Sequence, residues 1–205
     1  MSRAGAEFLL FIIYDLEYTT WTGARERGWS GPGEHREVVQ IGAVRLASSD
    51  GFPEIASFEA LVVPRINPAL SAFFVELTGI DQERLGREGV DFAPALARFA
   101  GFAEGSHGLF ANGVDEEVLK ENCLLCGLAW PFAAGACGNL SGVLSAAAGR
   151  NGHIVSSSLP EIFGQPAAGR AHDGLADARA IAGALRRIQE IRPGEPGLSR
   201  LLGSG

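Results

Sequence analysis

Asp15 and Glu17 sit two residues apart where the most apolar run of the chain, Phe8-Leu9-Leu10-Phe11-Ile12-Ile13-Tyr14, stops. If that run is a strand, alternation puts both carboxylates on one face. Two carboxylates at the end of a buried strand cost free energy unless something positive lies between them. A hard divalent cation, Mg²⁺ or Mn²⁺, supplies that charge through oxygen ligands and retained waters. The competing reading is an exposed strand end with solvated acids. Asp115 shares a helical inward stripe with Val118, Leu119, Asn122, Cys123 and Cys126. Alone, it reads as an N-cap or first-turn acid favoured by the helix dipole. The third piece is Ala171-His172-Asp173-Gly174-Leu175-Ala176-Asp177. Asp173 reads as an N-cap, with Gly174 opening the first turn. On one continuous helix His172 and Asp177 lie roughly 140° apart. With His172 in the preceding loop, the two converge on one site. Alone, such a His reads as a surface residue.

These groups need elements to hold them. Residues 8–14 read as a buried central strand, and residues 22–36 as a Gly-rich loop. Val38–Leu46 is a second strand and Ile55–Val63 a third, with turn chemistry at Ser48-Ser49-Asp50-Gly51. Helices are expected over Leu70–Leu77, Asp91–Phe102, Asp115–Cys126, Leu140–Ala148 and Gly174–Ile191, and a short strand over Gly108–Ala111. Gly152–Gly169 reads mostly as loop. Three leading strands followed by mixed helices and strands give one α/β sheet. Residues 1–192 read as a single domain, with 193–205 a frayed tail.

Taken together, the three acidic pieces resemble the signature of the DEDDh 3′–5′ exonucleases, the DnaQ-like branch of the ribonuclease H-like fold. The resemblance covers about residues 8–190. Four stretches are similar to the histone-mRNA 3′-exonuclease and KapD-type subfamily: Tyr14–Trp21, Glu37–Val44, Asn67–Ile80 and His172–Asp177. It implies a mixed central sheet with three leading antiparallel strands, flanked by helices. It implies that Asp15, Glu17, Asp115 and Asp177 hold two Mg²⁺ or Mn²⁺ ions, and that His172 is the general base. It also implies that Leu16, Phe73 and Thr78 contact the substrate. That substrate would be a single-stranded RNA or DNA 3′ end, shortened by one nucleoside 5′-monophosphate at a time. The subfamily acts chiefly on RNA.

Two departures stand out. The residue before the middle Asp is commonly Trp in RNA-type relatives, and here it is Val114. Losing an aromatic base platform removes on the order of 1–3 kcal/mol. Ala180 also replaces an Asn common in the family. Phe73 reads equally as a core Phe of its helix. A DNA-trimming relative and a non-catalytic regulatory protein on the same scaffold are the alternatives. The latter is weakened because no carboxylate of the set is missing.

The 205 residues carry 17 Lys and Arg against 24 Asp and Glu, a net charge of −7. Taken alone this argues against non-specific coating of nucleic acid. If four of those acids bind cations, the objection weakens, because bound ions supply local positive field. With 46% hydrophobic residues, a disordered chain is excluded. The apolar run is too short to span a bilayer. It lacks a signal-peptide cleavage site, so no membrane partner is expected. Three cysteines form no disulfide framework, and a reduced cytoplasmic setting is expected. Cys123 and Cys126 read as core packing, and Cys137 stays unassigned. His35, His107 and His153 show no mutual spacing. Arg25, Arg27 and Arg36 read as solvated loop residues, with phosphate contact as the alternative. No phosphate-binding Gly-x4-Gly-Lys loop and no Gly-x-Ser-x-Gly elbow is present.

Overall fold

A computed structural model of the chain describes residues 9–167, 169–195 and 198. Phe8 and most of the expected tail lie outside that set. Five strands form one mixed sheet: β1 Leu10–Tyr18, β2 Val38–Ala47, β3 Glu54–Leu61, β4 Leu109–Ala111 and β5 Cys137–Asn139. Their spatial order is β3-β2-β1-β4-β5. The three leading strands pair antiparallel, and β4 and β5 add in parallel beyond β1. This is the ribonuclease H-like arrangement.

β1 is central, and its alternation decides everything near it. Phe11 and Ile13 pack on one face against Ala178, Ile181 and Leu185 of helix α7, Gly174–Ile191. Ile12, Tyr14 and Leu16 pack on the other face against helices α3, Phe92–Ala103, and α4, Asp115–Cys126. Both sides of the strand are therefore dry, which is why the run reads as continuously apolar. The strand continues to Tyr18, past the expected end at residue 14, because pairing with β2 persists to Tyr18↔Val38. Asp15 and Glu17 thus lie within the ladder.

Helix α1, Ala72–Thr78, is capped by Ser71 Oγ, which accepts from the Phe74 N–H, and ends at Gly79 with φ 75°. It buries Phe74, while Phe73 stays 38% exposed. The core Phe of this helix is therefore Phe74. Four further elements carry no periodic signal. Helix α2, Gln82–Glu88, buries a single apolar residue, Leu85, and forms because Asp81 caps it. β5 reads Cys-Gly-Asn and exists through its pairing with β4. After α5, Ser141–Ala147, a 3-10 turn at Ser156–Ser158 and helix α6, Leu159–Phe163, interrupt the expected loop. The Leu198 side chain is buried in the α7-side core. No helix of the described residues is long and apolar enough to cross a membrane.

Backbone meets backbone where α7 docks on β2. A Cβ added at Gly42 would lie 2.1 Å from Gly174 C and Leu175 N. Gly42→Ala is therefore expected to cost about 1–3 kcal/mol or more, since a close-packed contact has no room to yield. Urea unfolding checks this, and an unchanged midpoint would show that α7 has slack.

Candidate active site

The alternation of β1 carries Asp15 and Glu17 onto the α7 face, in register with Gly42 and Gln40 of β2. Gln40 is fully buried and joins the pieces. Its Oε1 accepts from the Gly174 N–H at 2.8 Å, and its Nε2 donates to Asp173 Oδ2 at 3.2 Å. Asp173 in turn caps α7 by accepting from the Ala176 N–H. The first turn of α7 is thereby pinned to the sheet, and Asp177 in that turn faces the strand acids. Asp115 opens α4 just beyond β4, with Val114 at the cap position. Its Oδ1 accepts from the Leu16 N–H at 3.1 Å, between the two strand acids.

His172 lies in the loop before α7, with a left-handed backbone of φ 58°. Such a conformation costs a non-glycine residue about 1 kcal/mol or more and persists only where neighbours hold it. Here its N–H donates to Asp177 Oδ2 at 3.2 Å, and Arg170 donates to Glu76 O of α1. One ligand atom each of Glu17, His172 and Asp177 lies within 4.8 Å of the others. Asp15, Glu17, Asp115, His172 and Asp177 together line one groove of about 1070 Å³. The convergence expected from a loop placement of His172 is what the fold produces.

The expected substrate contacts divide. Leu16 and Phe73 line the groove. Thr78 is not among the lining residues. It is buried, donates to Phe74 O and accepts from the Ile80 N–H, so it closes helix α1. Val114 is 41% exposed at the groove wall. The three cysteines are free, and Cys123 belongs to the core on the α3/α4 side.

Several participants carry no sequence signal. Ser156 Oγ donates to Asp15 Oδ1 at 3.0 Å. Asn112, buried, donates to Ser156 Oγ at 3.2 Å, and Ser141 donates to Asn112 Oδ1 at 3.0 Å. His153 Nδ1 lies 3.2 Å from Ser141 Oγ. The Ser141 hydroxyl has one hydrogen, already given to Asn112, so His153 Nδ1–H is the donor there. A chain of hydrogen bonds thus runs from His153 through Ser141, Asn112 and Ser156 to Asp15. A lone Ser in a loop and a His without a spaced partner give no pattern to read. Gln40 left one trace, a polar residue inside an apolar strand.

The family model described as Exonuclease (RNase_T) matches residues 12–185. The chain belongs to that family. It is 29% identical over 133 residues to human (Homo sapiens) ERI1 exoribonuclease 2, covering 63% of this chain. The chain spans 18% of that relative's length. Two solved structures share the fold. One shows 3′-end specific recognition of a histone mRNA stem-loop by a 3′-exonuclease, with a TM-score of 0.76 and 23% identity over 94% of this chain and 67% of that one. The other is the nuclease domain of 3′hExo, a DEDDh family member, bound to rAMP. Its TM-score is 0.71 at 24% identity, over 92% of this chain and 96% of that one.

The electrostatics of this exonuclease-family groove are severe. Each of the four carboxylates is between 5% and 8% exposed. None forms an ion pair among the described residues. Burial, then the neighbouring Asp115, Asp177 and Glu17, push the Asp15 carboxyl well above the usual range, against the Ser156 hydrogen bond. Burial, then Asp177, Asp115 and Asp173, do the same to Glu17. Burial lifts Asp115 to about 6 and Asp177 to about 7, against the backbone donors that hold them. The donor set fits a hard divalent cation: clustered oxygens, dry, repelling and unneutralised. His172 shifts down, through burial, then Arg170 and Arg25, so its ring stays neutral near pH 7.

The sign of the stability effect follows. A carboxyl with a raised folded-state pKa binds its proton more tightly in the folded chain, so it favours folding in acid and loses that effect as pH rises. For Asp115 and Asp177 the window runs from their ordinary value of 3.8 up through about 6 and about 7. In chelator, the melting temperature is expected to fall between pH 5 and 7.5, and Mg²⁺ or Mn²⁺ to restore it. Asp177→Asn should raise the chelated protein's melting temperature at pH 7.5, by about 2–4 °C for each kcal/mol of repulsion relieved in a chain this size. It should also blunt the response to metal. Identical pH profiles for the two proteins in differential scanning fluorimetry would remove the repulsion argument.

Proposed function

We propose that this chain is a metal-dependent 3′–5′ exonuclease that shortens single-stranded RNA from its 3′ end. The observation that carries the reading is the convergence of Asp15, Glu17, Asp115 and Asp177, buried and unpaired, with His172 in one open groove. The exoribonuclease relative and the stretch Asn67–Ile80 support RNA over DNA.

Asp15, Glu17, Asp115 and Asp177 would hold two Mg²⁺ or Mn²⁺ ions. Such ions, when bound, activate water and clamp the attacking and leaving oxygens of a phosphodiester. The protein supplies the rest. Neutral His172, held by its strained backbone, accepts the proton of the attacking water. Phe73 and Leu16 offer apolar surface to the terminal nucleoside. Hydrolysis releases a nucleoside 5′-monophosphate and leaves a new 3′-hydroxyl on the strand.

The test is a 5′-labelled single-stranded RNA and a DNA of equal sequence, each with Mg²⁺ or Mn²⁺. A ladder of 3′-shortened products, faster on RNA, is expected. Absence of a ladder on both strands from folded protein would overturn the proposal. Asp15→Asn should lower kcat by more than about 100-fold, because even outer-shell changes at metal sites cost 10–100-fold. His172→Ala should lower it by about 10²–10⁴-fold, the usual contribution of a general base. Val114→Trp restores an aromatic platform and should lower KM for RNA by roughly fivefold or more, from about 1–3 kcal/mol of stacking.

A further inference from the structure

Arg25, Arg27 and Arg36 surround the Gly-rich loop that follows β1, and the structure separates them. Arg27 forks onto Glu34 and donates to Thr22 O, so it folds the loop back on itself. Arg36 pairs with Glu121 of α4 and lies 5.8 Å over the Trp29 ring, so it ties the loop to the body. The Arg25 guanidinium has neither an ion pair nor a hydrogen bond among the described residues, and it lines the groove.

The loop that displays it is anchored. Ala24 is fully buried, and its N–H donates to Trp21 O. Trp29 donates from its backbone N–H to Ala24 O and from Nε1 to Thr19 O. A fixed loop that leaves one guanidinium unpaired at the wall of an acidic groove leaves it available for an anion. Arginine matches phosphate with a planar fork of donors. No carboxylate of the cluster lies within ion-pairing reach of Arg25, while its charge acts on the His172 and His153 rings, so it stands off the carboxylates on the histidine side of the groove.

We propose that Arg25 forms an additional phosphate subsite, which holds the backbone phosphate next to the scissile one on its 5′ side. This rests on the exonuclease reading of the groove. Arg25 grips the part of the strand that remains after each cut, and it takes any strand with a phosphate at that place, whatever its bases.

The test compares two substrates of the full chain. One is a single-stranded RNA oligonucleotide. The other is the p-nitrophenyl ester of thymidine 5′-monophosphate, which has a scissile phosphate but no phosphate beyond it. Arg25→Ala should lower kcat/KM for RNA by about 10- to 100-fold, mostly through KM, as expected for one charge-assisted contact. The same variant should cost the ester no more than about twofold when both are assayed at about pH 8, where the His172 ring is neutral with or without the Arg25 charge. The salt dependence of RNA binding should flatten by about 0.7 in log–log slope, the share of one phosphate on a single strand. Arg25→Lys keeps the charge without the fork and should recover part of the loss.

Unchanged RNA kinetics and salt slope in Arg25→Ala would overturn the subsite. Equal loss on RNA and ester would also overturn it, placing Arg25 at the scissile phosphate or in the loop's folding. A wild-type protein that cleaves neither substrate would instead overturn the exonuclease reading itself. The two failures are therefore distinguishable.

Discussion

Mutual repulsion among Asp15, Glu17, Asp115 and Asp177 is the constraint that the surrounding fold has to contain. Burial in a dry corner raises the affinity of all four for protons, neighbouring acids add to it at Asp15, Glu17 and Asp177, and no basic side chain among the described residues offsets them. The sheet supplies two of them from one strand, and each of two helices supplies one from its first turn. The helix N-termini help, because their partial positive charge favours an acid there. What remains unbalanced is a standing demand for positive charge, which oxygen-seeking cations meet.

A fifth buried acid shows the contrast. Glu37 is as buried as the others, yet its carboxylate accepts from the backbone N–H groups of Arg65, Ile66 and Asn67 and from the Asn67 side chain. Every strong acceptor position is used, and the segment after β3 is folded around it. Burial alone therefore does not mark a functional acid in this protein. Burial with too few donors does.

Much of this was legible in the residues. The apolar run of β1 and the apolar stripe of α7 have periods long enough to read, so the central strand and its covering helix follow directly. The Asp-x-Glu spacing places two acids on one face, and His172 before the Asp173 cap fixes how it meets Asp177. The elements that could not be read are those made by tertiary pairing. β5 has a strand's pairing without a strand's composition, and α2 has one buried apolar side chain. Phe73 and Phe74 are adjacent and alike, and only the direction in which α1 docks decides which is buried. Ser156, Asn112 and Gln40 act through hydrogen bonds that reach across more than 40 residues of sequence, which no local pattern encodes.

The chain of bonds from His153 to Asp15 also has a direction. Each donor points inward, so every dipole presents its positive end toward the carboxylate at the floor of the groove. Dipoles aligned in this way polarise one another. Ser141 touches none of the four acids, yet turning its hydroxyl would break the alignment for all that follow. The corner is thus joined to the rim by a run of aligned hydrogen bonds whose order rests on where each proton sits.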